Sequence, residues 1–285
     1  METLQHRDGR ILEYEVTGPS DGIPLIFHHG TPCSGLQPRA FQQAAHDRGL
    51  RMVSYSRPGY AGSARLPGRD VAAAVVECEA LLDQLAAARC VVVGWSGGGP
   101  HALATAAGLP GRVAAVATIA SIAPYVLQVR SGELDSDETD EDLREGEREL
   151  RPRFEERAAR LRGRKPETLM ETWSALLADV DLTVMAQGFG EEVAALVSDA
   201  LRTGVDGYLD DNLAFRRDWG FALEDVVAPY SLWHGREDLM VPVSEGEWLA
   251  KHLPDATVHF EDGEGHMSIC VNSFDRIVAE LVEHL

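Results

Sequence analysis

Along the first 122 residues, short apolar runs alternate with stretches whose apolar positions recur at helical spacing. "RILEYEVTG" alternates in the manner of a half-exposed strand, whereas "PLIFHHG" and "RMVSYSRPG" are short apolar runs that stop at glycine or proline. Runs of the second kind predict parallel strands buried on both faces. Between them and the next run, "CVVVGWS", residues 70–88 place Val71, Val75, Ala80, Leu81 and Leu85 roughly on one helical face. A helix-like stretch over 100–107 follows, and then another apolar strand, "VAAVATIAS". Strand, helix and strand in succession predict an α/β fold with a mostly parallel, doubly wound sheet.

The pattern changes over about residues 123–225. "GELDSDETDEDLREGERELRPRFEERAARLRGRKPE" is charged throughout, first mostly acidic and then mixed, and reads as a solvated helix face or a mobile loop. "TLMETWSALLADVDLTVMAQ" and "EEVAALVSDALRTG" carry helical periodicity without a strand signal. The sheet pattern resumes with "PYSLWHGRED" and "TVHFEDGEGH", and "FDRIVAELVEHL" closes as an amphipathic helix. The chain therefore divides into a core, residues 1–122 and 226–285, and an inserted helical cap, residues 123–225. Because the insertion follows a core strand, both its ends are expected near one edge of the sheet. Leu169, Trp173, Leu176, Leu177 and Met185 would then form an apolar roof, with the acidic stretch 133–149 exposed and mobile.

Composition removes several function classes. A formal net charge of −20 would repel nucleic-acid phosphates and anionic lipid, which leaves a small molecule as the expected partner. No basic stretch leads into an apolar run at the start, and no segment is long and apolar enough to span a membrane. Cys33, Cys78, Cys90 and Cys270 lie far apart without Cys-x-x-Cys spacing, which fits reduced thiols in a cytoplasm and offers no metal site. Monomer and homodimer both remain open.

The chemistry enters at Gly94-Trp95-Ser96-Gly97-Gly98, between a buried strand and a helix. A turn this sharp brings together the positions two residues either side of the serine, and glycine at both removes the collision. The serine hydroxyl is then pushed out above the C-terminal edge of the sheet, where a helix N-terminus stabilises negative charge. Such a nucleophile needs a base, and the base needs an orienting acid. Asp238 follows one late strand, and His266 lies in a glycine-bearing loop after the next. Asp262 and Asp225 are rival acids, the first too close in sequence to His266 and the second preceding its strand; Glu237 is a weaker fallback. The N–H groups of Gly97 and of Thr31, in the loop "FHHGTPCSG", are the expected oxyanion donors. His28, Trp95, Tyr125 and Trp173 are candidate substrate contacts.

Taken together, "HHGTP", "SRPGYAGS", "GWSGGG", "LWHGREDLMVP" and "GEGHMS" resemble the motif set of the α/β-hydrolase superfamily, among its cap-bearing members. The resemblance covers about residues 10–122 and 226–285 and implies the fold and a Ser96-Asp238-His266 triad. Epoxide hydrolases and haloalkane dehalogenases carry aspartate at the elbow, so Ser96 favours acyl transfer over alkyl-enzyme chemistry. Proline iminopeptidases usually have tryptophan after the serine, whereas Trp95 precedes it. The expectation is a serine hydrolase of a small carboxylic ester, lactone or thioester that needs no metal or organic cofactor. The alternatives are a catalytically silent ligand receptor, a cofactor-free haloperoxidase or perhydrolase, and an iminopeptidase-like peptidase.

Overall fold

A computed structural model describes residues 1–130, 146–253 and 255–285. Its strands are β1 (Glu2–Gln5), β2 (Ile11–Thr17), β3 (Pro24–His28), β4 (Arg51–Tyr55), β5 (Cys90–Trp95), β6 (Val113–Ile119), β7 (Tyr230–Gly235) and β8 (Thr257–Glu261). They form one sheet in the order β1-β2-β4-β3-β5-β6-β7-β8. β1 and β2 pair antiparallel with their neighbours, and every pairing from β4 to β8 is parallel.

Every residue of β3 and β5 is buried, because both faces of the central sheet are covered. The two-residue period of a strand sends Leu25, Phe27, Val91, Val93 and Trp95 into one core and Ile26, Cys90 and Val92 into the other. Helices α1 (Arg39–His46) and α11 (Ser268–Val282) contribute Phe41, Phe274 and Ile277 to the first core. Helices α2 (Ala74–Gln84), α3 (Gly99–Gly108) and α10 (Val243–His252) contribute Leu81, Leu103 and Trp248 to the second.

Between β6 and β7 every described element is helical: α4 (Tyr125–Arg130), α5 (Glu147–Leu161), α6 (Pro166–Thr172), α7 (Asp179–Val184), α8 (Gly190–Ala200) and α9 (Asp206–Phe215). The charged run does more than present a solvated face. Leu150, Phe154, Ala158 and Leu161 recur every three or four residues along α5 and are all buried. Residues 133–145, most of the stretch expected to be mobile, lie outside the described residues. β4 lies on one side of β3 and β5 on the other, so the strand order reverses at the β3–β5 junction. A crevice forms at the C-terminal ends of strands where their order reverses in this way.

Candidate active site

Ser96 follows the last residue of β5 with φ 55°, in the left-handed region that a serine adopts only when its surroundings enforce it. Those surroundings are tight. A Cβ on Gly98 would come within 2.7 Å of the His28 carbonyl carbon and of the His29 oxygen, and one on Gly94 within 2.7 Å of the Gly98 carbonyl carbon. Only glycine fits at either position, so the backbone turns sharply and Ser96 is left partly exposed while its neighbours are buried.

Two further loops converge on this turn. His266 precedes α11 and Asp238 follows β7; the Asp238 carboxylate accepts a hydrogen bond from His266 Nδ1 at 2.7 Å. Both side chains are buried. The other carboxylate oxygen accepts the N–H groups of Met240 at 2.9 Å and Val241 at 2.8 Å. Burial pushes the Asp238 carboxyl up, but the facing His266, the hydrogen bonds from His234 and His266 and the Val241 N–H outweigh it, and the group is held well below the usual carboxylate range. The rival Asp262 is exposed and pairs with Arg236, and Asp225 and Glu237 also face solvent. Among the described residues Ser96 Oγ makes no hydrogen bond to His266. Both border one cavity, and such bonds often close only when substrate is bound.

That cavity holds about 340 Å³ and is bordered by Thr31, Trp95, Ser96, Gly97 and His266 from the core and by Leu161, Trp173, Leu176, Val193 and Val197 from the helical insert. Of the apolar insert positions read from sequence, Trp173 and Leu176 reach it. Leu169, Leu177 and Met185 are instead buried in the apolar cluster that also holds Trp95 and Phe189. Tyr125 borders an adjoining cavity of about 290 Å³ that shares Ile122, Asn212, Phe215, Met240 and Val241 with the first. His28 borders neither. The pleat of β3 turns it to the opposite face, against Tyr55 Oη at 3.3 Å and Thr105 Oγ1 at 3.2 Å, and burial pushes its imidazole down to about 3, so it is neutral. A larger hollow of about 560 Å³ lies at the other edge of the sheet, by Ala115, Tyr230 and Thr257. Cys33 also borders the Ser96 cavity, but burial pushes its thiol up to about 12, so it stays protonated and is no rival nucleophile near neutral pH.

The Thr31 and Gly97 N–H groups are bonded to no acceptor among the described residues, and a Cβ on Gly97 would lie within 3.0 Å of the Thr31 side chain. Thr31 is fixed from behind. Its hydroxyl donates to Asp211 on α9 at 2.7 Å and accepts from Arg57 Nη2 at 2.9 Å. The same Asp211 carboxylate, fully buried, takes bonds from Arg57 at 2.7 Å and from Tyr60 at 2.9 Å, and is also paired with Arg69. Burial opposes its charge, yet Arg57 and Arg69 hold it well below the usual carboxylate range.

Among the described residues three carboxylates of the insert are buried, Asp181, Asp210 and Asp211, and none is among the site residues expected from sequence. Asp181 had a signal, an acid set in the apolar helical run "LLADVDLTVM". Asp210 and Asp211, adjacent in an unremarkable polar stretch, had none.

Fold and site together define a family. The model described as alpha/beta hydrolase fold matches residues 23–273, and the chain belongs to that family. The chain is 25% identical to the non-heme chloroperoxidase of Burkholderia pyrrocinia, over 99% of its own length and 98% of that protein's. It is 31% identical to the pimeloyl-[acyl-carrier protein] methyl ester esterase of Aromatoleum aromaticum, over 85% of its length and 90% of that protein's. The match to the non-heme chloroperoxidase of Streptomyces lividans, 31% identical, takes in 45% of this chain and about half of that relative, 47%. Among solved structures, a thermophilic esterase from Thermogutta terrifontis superposes with a TM-score of 0.70 at 20% identity, covering 99% of this chain and 97% of that one. At that identity the likeness is one of fold.

Proposed function

We propose that the protein is a serine hydrolase that cleaves a small carboxylic ester, or a lactone or thioester, through an acyl-Ser96 intermediate. The observation that carries this reading is the buried Asp238–His266 pair, 2.7 Å apart, opening on the cavity that holds the left-handed Ser96. Asp238 keeps the Nδ1 proton in place, so His266 Nε2 accepts the Ser96 proton as Oγ attacks the carbonyl carbon. The oxyanion is received by the N–H groups of Thr31 and Gly97. Collapse of the tetrahedral species expels the alcohol, which takes the proton from His266. Water then repeats the sequence and releases the acid.

The apolar insert side chains favour an aliphatic acyl group, and a cavity of about 340 Å³ favours a small one. The two chloroperoxidase relatives support a second reading, in which hydrogen peroxide replaces water at deacylation and the acyl group leaves as a peracid. p-Nitrophenyl esters of graded chain length test the first reading, and peracid formation from acetate and peroxide tests the second. Ser96→Ala is expected to reduce turnover by about 10³-fold or more in either assay. Near-normal turnover by that variant would remove Ser96 from the mechanism.

A further inference from the structure

Asp181 is a fully buried carboxylate on α7, in the helical insert, and its hydrogen-bond partners among the described residues are all backbone N–H groups. Oδ1 accepts from Met267 at 2.8 Å and Ser268 at 2.9 Å. Oδ2 accepts from His266 at 3.1 Å and, within its own helix, from Ala178 at 3.3 Å. Among the described residues no arginine, lysine or histidine is paired with it. A buried carboxylate without a counter-ion is costly unless hydrogen bonds and local dipoles compensate its charge. Here the compensation comes from three successive N–H groups at the start of α11, the positive end of that helix.

The first of those N–H groups belongs to His266. Asp238 holds the ring at Nδ1 and Trp95 Nε1 donates to the His266 carbonyl at 3.4 Å, so Asp181 supplies a third hold, on the backbone N–H. It reaches across 85 positions of sequence to do so. Gly265 shows how closely the two elements meet, since a Cβ there would lie 2.6 Å from Asp181 Cγ and 2.7 Å from Oδ1.

Resting on the reading of Ser96, His266 and Asp238 as an acyl-transfer triad, we infer that Asp181 is a positioning residue for His266: the insert fixes the placement of the base as well as walling the cavity. His266 Nε2 must meet Ser96 Oγ and later the leaving oxygen, and a misplacement of about 1 Å can cost about 100-fold in rate. Asp181→Asn keeps one acceptor oxygen for Met267 and Ser268 but sets an amide N–H against those of His266 and Ala178. Asp181→Ala removes all four bonds.

The test measures kcat and KM for a p-nitrophenyl ester, with kcat expressed per site titrated by a fluorophosphonate so that unfolded protein is not counted. Amide hydrogen exchange at His266, Met267 and Ser268 is followed in parallel. Expected are a fall in kcat of about 10-fold for Asp181→Asn and about 100-fold for Asp181→Ala, with KM within about twofold, and faster exchange at all three amides in the alanine variant. Gly265→Ala, which crowds the carboxylate from the other side, should lower kcat likewise; combined with Asp181→Ala it should add little further loss. An unchanged kcat per titrated site in the Asp181 variants, with only thermal stability reduced, would overturn the inference and leave Asp181 a helix cap. So would unchanged exchange. Should the wild-type protein neither turn over esters nor take the phosphonate, the triad reading falls, and the exchange rates alone decide whether Asp181 holds the His266 loop.

Discussion

Ser96 is held at φ 55° between glycines that no larger residue can replace, and His266 and Asp238 lie in loops after two other strands. The acid is the member whose role the geometry tests most sharply. With Asp238 Oδ2 accepting from Nδ1, a neutral imidazole has its free lone pair on Nε2. Asp238→Asn preserves shape but offers an amide N–H to Nδ1, which favours the opposite tautomer. The expected result is a loss in kcat of about 10⁴-fold with partial recovery at high pH, read from a pH–rate profile on the best ester. Full activity in that variant, alongside an inactive Asp262→Asn, would move the acid to the exposed rival. The positions of Ser96, Trp95 and His266 on one cavity were legible in sequence, because each stands at the end of an apolar strand run or in the loop after one. His28 was not. Two adjacent histidines end "PLIFHH", and only the pleat of β3 decides that His28 turns to the far face.

At the scale of elements, α9 is joined to the core through two adjacent carboxylates, Asp210, which Arg65 holds at 2.8 Å, and Asp211. Asp211 ties it to Arg57 and Tyr60, in the loop after β4, and to Thr31 after β3. Its carboxyl is held below the ordinary value in the folded protein, so the stabilisation it supplies is complete above the unfolded-state value of about 4 and is lost as the pH falls from there towards the folded-state value. Asp211→Asn leaves Arg57 and Arg69 buried without their partner. The variant should be less stable by about 3–5 kcal/mol at neutral pH, with the difference shrinking below about pH 4. Urea melts across the acid range measure this, and a pH-independent difference would contradict it. The core strands from β2 onward were legible because burial on both faces or alternation marks them directly. β1 was not, since its four residues are largely exposed on the sheet edge. The Asp181 and Asp211 contacts were invisible for another reason: each joins residues more than 80 positions apart, and no local pattern marks which acid will be buried.

At the scale of the molecule, core and insert share one cavity: core loops bring Ser96 and His266 to it, and Leu161, Trp173, Leu176, Val193 and Val197 of the insert form part of its apolar wall. Trp173 is the largest insert side chain on that wall. Trp173→Ala should move the optimum of kcat/KM towards longer acyl chains, by about 1–3 kcal/mol of changed preference across the series, with the fold unaffected. An unshifted chain-length profile would assign selection to the core loops instead. Activation of Ser96 as a nucleophile by His266 is read by mass spectrometry of the intact protein after exposure to a fluorophosphonate. A single phosphonyl adduct is expected that maps to Ser96, is absent in Ser96→Ala, and forms far more slowly in His266→Ala. An unmodified wild-type protein, or an adduct that persists in Ser96→Ala, would contradict it.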